Sequence, residues 1–545
     1  MLAGAVAIVV LALPVVWWSP LNVDEELTLR VAQFSFGHVF HVVSTQRGGG
    51  PLHFWLEHFL QGWWPGLPAL RVPSLVFLCL ALPAVAMVAR EFIDDEGAAA
   101  VVLLTAVSPI PVSYAAFGRP HTLLFAWLMW GTVLVLRGAR TGGRGWWIAG
   151  GAVLGTTVFV HPTAPLYALT AFGVALIYAP RAPRVLAREA WPGAVALFVT
   201  FLPYYAKTLH VLGDRYGVGT SNGKAGRTFD GRPVWEDALH FVAPGTHDIN
   251  YFTVAAVAGL VVLALARRWR LLLFCVLTVA APVVFFSVVP TSGDSALFFD
   301  RYMIPVTPAF LVVVVAACSA VARWAGPRRF AVFALLVAGL LVIELRYDID
   351  RRNAVKNIDL GSAAHQVARE AVGGILFDST GTSGPAFASF DYGHPANLLG
   401  HYVSLRVPVR YVPDDSCSRV APFLLGPATP AYGIWLFYAN QPDWSAAGAR
   451  ALGSFAGTVT VARPTPRYFV VRSREVLSPH ALVELGVQLR EAWQTAVPAN
   501  TRVAELLAAD REALRAPNAC PPYPAPEELG DPGTSPHWPP VKGAQ

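Results

Sequence analysis

The sequence LAGAVAIVVLALPVVWWSPLNVDEELTLR, residues 2–30, joins a long apolar run directly to an acidic segment. The apolar part contains no charged residue, which predicts a first membrane-spanning helix. Asp24, Glu25 and Glu26 then follow close to the predicted edge of the bilayer. Ionised groups at that depth lose hydration, so they tend to be few and functional. The plainer alternative is a solvated loop in which Glu26 pairs with Arg30 one helical turn later.

The composition is that of a polytopic α-helical membrane protein. Mean hydropathy is +0.48 and only 14% of the 545 residues are charged, against about 25% in soluble globular proteins. About eleven apolar runs are long enough to span a bilayer when tilt and polar ends are allowed for. These runs are 2–18, 72–89, 98–116, 121–136, 146–160, 163–179, 191–210, 251–266, 271–290, 303–322 and 329–346.

The basic residues predict the orientation of these spans. If the N-terminus is cytoplasmic, the arginine-rich junctions all fall on the cytoplasmic side, as the positive-inside rule expects. The net charge of +6 is not a nucleic-acid signature, because the arginines fall in short loops between the apolar runs. We therefore expect a multi-pass protein of the plasma membrane, surrounded by membrane lipids, whose C-terminal part is extracytoplasmic.

Composition also divides the chain. A transmembrane domain is predicted over 1–346 and an extracytoplasmic α/β domain over 347–520, because strand-like and helix-like stretches alternate there. The Pro-rich residues 521–545 are predicted to be a disordered tail. Cys417 and Cys520 could form a disulfide if this part faces an oxidising compartment.

Two arginines at predicted outer boundaries run against the positive-inside trend. Arg119 lies just before the fourth apolar run and Arg301 just before the tenth. The planar guanidinium fork suits a phosphate group, although an arginine that snorkels to lipid head groups, or that pairs with Asp300, is the alternative. Together with a carboxylate that accepts a hydroxyl proton, these cations favour transfer of a sugar from a lipid-linked phosphate.

At this point the motifs and their order resemble those of the GT-C superfamily of membrane glycosyltransferases. The resemblance rests on Asp24-Glu25 after the first span, Gly50-Pro51-Leu52-His53-Phe54 later in that loop, Arg119-Pro120-His121-Thr122-Leu123-Leu124, and Arg301-Tyr302-Met303-Ile304-Pro305. It covers about residues 1–350. The branch that it suggests contains the protein O-mannosyltransferase-like and aminoarabinose-transferase-like enzymes, which use a polyprenyl-phosphate sugar and invert the anomeric centre.

The resemblance implies roles for individual residues. Asp24 matches the catalytic base, with Glu25 as its neighbour, and Arg119 and Arg301 match contacts to the donor phosphate. Further candidates for the pocket are His121, Tyr302, Arg47 and His53.

The chain also departs from the family pattern. The family usually has His-Pro-Pro where this chain has Gly49-Gly50-Pro51, and often has Tyr where this chain has His121. The Glu that usually precedes Arg119 by a few residues is missing. A divalent cation is therefore left open, and no metal ligands are assigned. The spacing of His53 and His58 does not match the HExxH pattern of zinc sites.

The sequence therefore predicts an inverting glycosyltransferase that moves a sugar from a polyprenyl-phosphate donor to a hydroxyl of a cell-envelope glycan, lipid or protein on the outer face. The alternative is a transporter or flippase of a lipid-linked glycan, which should place ionisable residues in mid-span and show repeat symmetry. A membrane scaffold that displays the outer domain is a third possibility.

Overall fold

The computed structural model describes much of the chain and divides it into two units. The described residues are 1–18, 23–47, 50–64, 66–216, 234–235, 238, 251–289, 300–356, 362–363, 365–366, 375–378, 409–411, 434–438, 442–455, 457–466, 468–474, 479–496, 504, 507–508, 511–512 and 514–515. The first unit comprises residues 1–17, 31–64 and 68–351, and the second comprises 18–30, 65–67 and 352–545.

Helices dominate the described residues up to 356. In chain order they are α1 (Leu2–Trp18), α2 (Val23–Ala32), α3 (Phe36–Val42), α4 (Pro51–Trp63), α5 (Leu67–Arg90), α6 (Asp95–Val107), α7 (Pro109–Ala115), α8 (His121–Thr141), α9 (Arg144–Thr156), α10 (Ala164–Tyr178), α11 (Pro183–Tyr216), α12 (Tyr251–Leu265), α13 (Trp269–Val288), α14 (Thr307–Trp324) and α15 (Arg329–Lys356). A π-helical turn occupies Val43–Arg47, and 3₁₀ turns occupy Thr157–Phe159, Asp300–Val306 and Gly326–Arg328.

Each predicted apolar run coincides with one of these helices or with the pair α6 and α7. Within the described residues, six helices are long and apolar enough to cross a membrane: Leu67–Arg90, His121–Thr141, Pro183–Lys207, Trp269–Val288, Arg301–Trp324 and Gly326–Asp348. The pair α6 and α7 would add a seventh, and the apolar helices Leu2–Trp17, Ala164–Tyr178 and Tyr251–Leu265 are shorter. The prediction of a polytopic α-helical membrane protein is confirmed.

The junction between α6 and α7 is bent by 55°. Ser108 has an extended backbone (φ −63°, ψ 128°) and precedes Pro109. Proline disfavours the helical conformation in the residue before it. The local sequence therefore ends one helix and starts the next, which carries the chain towards Arg119.

The end of α1 is held by a buried arginine. Arg71, in the first turns of α5, is fully buried and its Nη1 donates to the carbonyl of Val16 at 3.1 Å. The last carbonyls of a helix have no partner within that helix, and an unsatisfied carbonyl is costly in a bilayer. Arg71 therefore stabilises the point where the chain leaves the first helix.

Helices α9 and α11 approach each other through glycines. A Cβ added to Gly151 would run into the carbonyl of Gly193, and one added to Gly155 would run into the side chain of Thr200. Small residues allow such close backbone contact, which is a main source of helix association in membranes.

The second unit contains a five-stranded mixed sheet. Its strands are β1 (Ile375–Asp378), β2 (Val409–Tyr411), β3 (Ile434–Tyr438), β4 (Val459–Ala462) and β5 (Tyr468–Ser473), in the order β2-β1-β3-β5-β4. β1 pairs in parallel with β2 and β3, while β5 pairs antiparallel with β3 and β4. Helix α16 (Pro442–Gly453) follows β3 and helix α17 (Pro479–Ala496) follows β5.

These α and β elements agree with the alternation in the sequence, but strand β4 was not predicted. Residues 211–250 and 360–371, Cys417, Cys520 and the predicted tail lie largely or wholly outside the described residues. The domain limits at 346 and 520 stay predictions.

The α9–α11 contact can be tested by adding one methyl group. We expect Gly151→Ala to destabilise the protein by about 1–3 kcal/mol, the usual cost of overpacking a tight contact. Gly173→Ala on α10 is the matched control, because nothing lies within 4 Å of its added Cβ. Thermal unfolding in detergent checks both variants, and equal melting temperatures would contradict the close approach of α9 and α11.

Candidate active site

Three aromatic side chains meet where α8, α10 and the 3₁₀ turn before α14 begin. His121 is the first residue of α8, His161 precedes α10, and Tyr302 lies in the 3₁₀ turn. Ring centroids are 5.4 Å apart for His121 and His161, 5.3 Å for His161 and Tyr302, and 6.4 Å for His121 and Tyr302. We call these three residues the His–Tyr cluster.

Both predicted phosphate-binding arginines lie beside this cluster. The Cζ atom of Arg301 is 5.7 Å from the ring centroid of Tyr302, the next residue. Arg119 precedes His121 by two residues. Burial, followed by the positive charges of Arg301 and Arg119, lowers the pKa of His161 to about 3. Both guanidinium groups therefore lie within electrostatic range of the same buried imidazole.

The tautomer of His161 follows from its neighbours. Its Nδ1 atom accepts a hydrogen bond from the backbone N–H of Thr163 at 3.3 Å and lies 2.8 Å from the Thr163 hydroxyl oxygen. A neutral imidazole whose Nδ1 accepts must carry its proton on Nε2. His161 therefore presents one neutral N–H donor from Nε2. His121 is also buried, and its Nε2 has no hydrogen-bond partner among the described residues.

Tyr302 is held in place by an aromatic contact and by a hydrogen bond to its backbone. Its ring stacks on Phe286 at 5.4 Å, and the buried hydroxyl of Tyr167 donates to its backbone carbonyl. Tyr167 also lines an apolar cavity between α5, α8, α10, α13 and α14, together with residues such as Leu128 and Pro305. Tyr167 therefore contacts both Tyr302 of the His–Tyr cluster and the apolar cavity.

His53, a predicted pocket residue, is buried on α4 and contacts the turn before α8. Its Nε2 is 3.3 Å from the carbonyl oxygen of Gly118, the residue before Arg119. Burial and then the charge of Arg119 lower its pKa to about 3, although the Gly118 hydrogen bond opposes this shift. Arg119, Arg301, His121, Tyr302 and His53 are therefore brought together.

The remaining predicted site residues are described only in part. Asp24 and Glu25 lie in α2, and the side chain of Glu25 is fully buried. Arg47 ends the π-helical turn. The side chains of Asp24 and Arg47 lie outside what the structure describes, so their approach to the site stays a prediction.

The arrangement is suited to an anionic oxygen group. Two guanidinium groups can each form charge-assisted hydrogen bonds to a phosphate, and the neutral His161 adds a donor without adding charge. Among the described residues, no group of three His, Cys, Asp or Glu side chains could hold a metal ion.

Comparison with known proteins shows that this chain shares its fold with a known structure and that part of it matches a family model. Residues 51–206, which contain His53, Arg119, His121 and His161, match the family model described as dolichyl-phosphate-mannose-protein mannosyltransferase. The crystal structure of ArnT from Cupriavidus metallidurans in the apo state superposes with a TM-score of 0.53 at 16% identity, and the match covers 86% of this chain and 97% of that chain. The fold is that of the GT-C glycosyltransferases.

Two further GT-C structures are similar at lower scores. ArnT from the same organism bound to undecaprenyl phosphate has a TM-score of 0.49 at 16% identity, covering 86% of this chain and 96% of that chain. The oligosaccharyltransferase of Archaeoglobus fulgidus in the apo form has a TM-score of 0.47 at 11% identity, covering 85% and 69%. No curated protein sequence matched the chain.

These comparisons confirm the resemblance predicted from the sequence motifs. A stretch that matches a mannosyltransferase family model therefore lies inside a fold similar to that of ArnT. The anion-suited site lies at the starts of several helices rather than in mid-span.

The structure also brings in residues that the sequence did not assign to the site. His161, Ser74, Tyr167 and Glu57 were not among the predicted site residues. One signal was available for Glu57, because it lies one helical turn after His53 on the same face of α4. The contacts of Ser74 and Tyr167 join distant parts of the chain and leave no local pattern.

The buried histidines predict how stability depends on pH. An unfolded histidine titrates near 6.5, whereas His53 and His161 titrate at about 3 in the folded protein. Between these values the unfolded chain binds more protons, so stability falls as pH drops from about 6.5 towards 3, by roughly 1.4 kcal/mol per pH unit for each histidine.

Thermal unfolding in detergent across that range measures this effect. We expect the double variant His53→Gln, His161→Gln to lose stability less steeply on acidification than the unmodified protein. Parallel pH profiles for the two proteins would contradict the assignment.

Proposed function

We propose that the protein transfers a sugar from a polyprenyl-phosphate donor to a hydroxyl of a cell-envelope acceptor on the extracytoplasmic face of the membrane. The acceptor would be a glycan, a lipid or a protein. The anomeric centre would be inverted, in line with the sequence resemblance.

The observation that carries this proposal is the approach of Arg119 and Arg301 to one buried cluster. Two fixed guanidinium groups favour a phosphate, because each can form paired N–H···O bonds to its oxygens. The charges also oppose protonation of His161. An anion would relieve the repulsion between these cations, so the site is built to receive negative charge.

The setting of the arginines favours a lipid-linked phosphate over a soluble one, because Arg119 and Arg301 lie at the starts of apolar helices that are long enough to cross a membrane. The name of the matched family, a dolichyl-phosphate-mannose-protein mannosyltransferase, points to the same chemical class of donor.

In the proposed mechanism Asp24 is the general base. It accepts the proton of the acceptor hydroxyl while the hydroxyl oxygen attacks the anomeric carbon from the face opposite the phosphate. The bond between the anomeric carbon and the phosphate oxygen breaks, and its electron pair leaves on the phosphate. Arg119 and Arg301 stabilise the additional negative charge on that leaving group, which lowers the barrier to transfer.

Replacing the proposed base tests this mechanism. We expect Asp24→Asn to reduce turnover by roughly 10²–10⁴-fold, because an amide cannot accept the proton. Release of polyprenyl phosphate from a radiolabelled polyprenyl-phosphate sugar by purified protein measures turnover. Asp95→Asn is the control, since this exposed carboxylate pairs only with Arg90 among the ion pairs of the described residues. Unchanged turnover in Asp24→Asn would remove Asp24 from the mechanism.

The same assay separates the enzyme from its alternatives. Cleavage with release of polyprenyl phosphate is the expected result. Movement of the intact labelled lipid across liposomes without cleavage would instead identify a transporter or flippase. A scaffold would do neither.

A further inference from the structure

We propose that His53 is a positioning residue that fixes Arg119 for the donor phosphate by holding the turn before α8. This inference rests on the proposed function, because it assigns His53 a purpose only if Arg119 binds phosphate. It changes the expectation from sequence, in which His53 was a candidate for direct contact in the pocket.

The first contact comes from α4. His53 is 2% exposed, and its Nε2 lies 3.3 Å from the carbonyl oxygen of Gly118. A carbonyl oxygen only accepts hydrogen bonds, so Nε2 carries the proton and donates it. This polar atom is therefore committed to the backbone beside Arg119 and is not available to a ligand.

The second contact comes from α5. The hydroxyl of Ser74 donates to the carbonyl of Arg119 at 3.2 Å. The turn is also closed on itself, since the N–H of Arg119 donates to the carbonyl of Phe117 at 2.7 Å. The peptide groups on both sides of the Arg119 Cα atom are thus held from two different helices.

Steric contact removes the remaining freedom of this turn. A Cβ added to Gly118 would overlap the side chain of Leu70 on α5. The backbone at Gly118 therefore packs directly against α5, and the turn cannot shift towards that helix. His53 holds it from α4, and the base of the Arg119 side chain has little freedom left.

The ring of His53 is buried beside Glu57, which lies one helical turn further along α4. With the proton on Nε2, Nδ1 is an acceptor, and its 4.0 Å separation from Oε1 of Glu57 is too long for a hydrogen bond. The low pKa keeps the imidazole neutral at ordinary pH, so the hydrogen bond to Gly118 adds no positive charge beside Arg119. A neutral donor can thus hold the turn without competing with Arg119 for the phosphate.

Binding of polyprenyl phosphate to the purified full-length protein tests this role, using the single variants His53→Leu and Arg119→Ala and their combination. We expect His53→Leu to weaken binding about tenfold when Arg119 is present and less than twofold when Arg119 is replaced, because two residues that act through one another are not additive. His53→Gln keeps an N–H donor near the position of Nε2, so it should restore most of the affinity.

His58→Leu is the matched control. His58 lies on the same helix and its Nδ1 also bonds a backbone carbonyl, that of Ala32 at 2.7 Å. We expect this variant to lower thermal stability without changing lipid binding. Equal losses of affinity from His53→Leu with and without Arg119 would overturn the positioning role while leaving the proposed function intact. Unchanged binding in Arg119→Ala would overturn the phosphate site itself, and the inference with it.

Discussion

The account depends on two guanidinium charges held beside neutral imidazoles in a buried site. Arg119 and Arg301 both act on His161, and burial keeps that imidazole uncharged. Charges in such surroundings interact much more strongly than in water, so the site favours a bound anion. Glycosyl transfer from a phosphate creates negative charge on the leaving group, and a fixed pair of cations stabilises that charge without having to reorganise.

The fold places these charges by means of helix ends. The bend at Pro109 brings the chain to Arg119, the 3₁₀ turn at Asp300–Val306 carries Arg301, and the loop before α10 carries His161. Contacts from other helices secure the turns that carry the two arginines: Ser74 bonds the Arg119 carbonyl and Tyr167 bonds the Tyr302 carbonyl. These contacts satisfy buried backbone carbonyls and at the same time orient the site.

The sequence predicted the helices and the two arginines, but it did not predict the contacts that position them. Hydropathy located the helices because the bilayer demands long apolar runs, and Arg119 and Arg301 were noticed because they violate the positive-inside trend. The role of His161 was missed because a histidine before a proline is locally unremarkable in composition. The Ser74 bond to Arg119 spans 45 residues, and only tertiary packing creates such contacts. Strand β4 has four residues, too few for a clear alternating pattern.

The central claim is that Arg119 and Arg301 form one phosphate site with Asp24 facing the sugar. A cryo-EM structure of the protein with a polyprenyl-phosphate sugar tests it most directly. The account predicts phosphate oxygens at about 2.7–2.9 Å from nitrogens of both guanidinium groups, and the Asp24 carboxylate on the opposite side of the anomeric carbon. A phosphate bound away from either arginine, or Asp24 remote from the sugar, would contradict it.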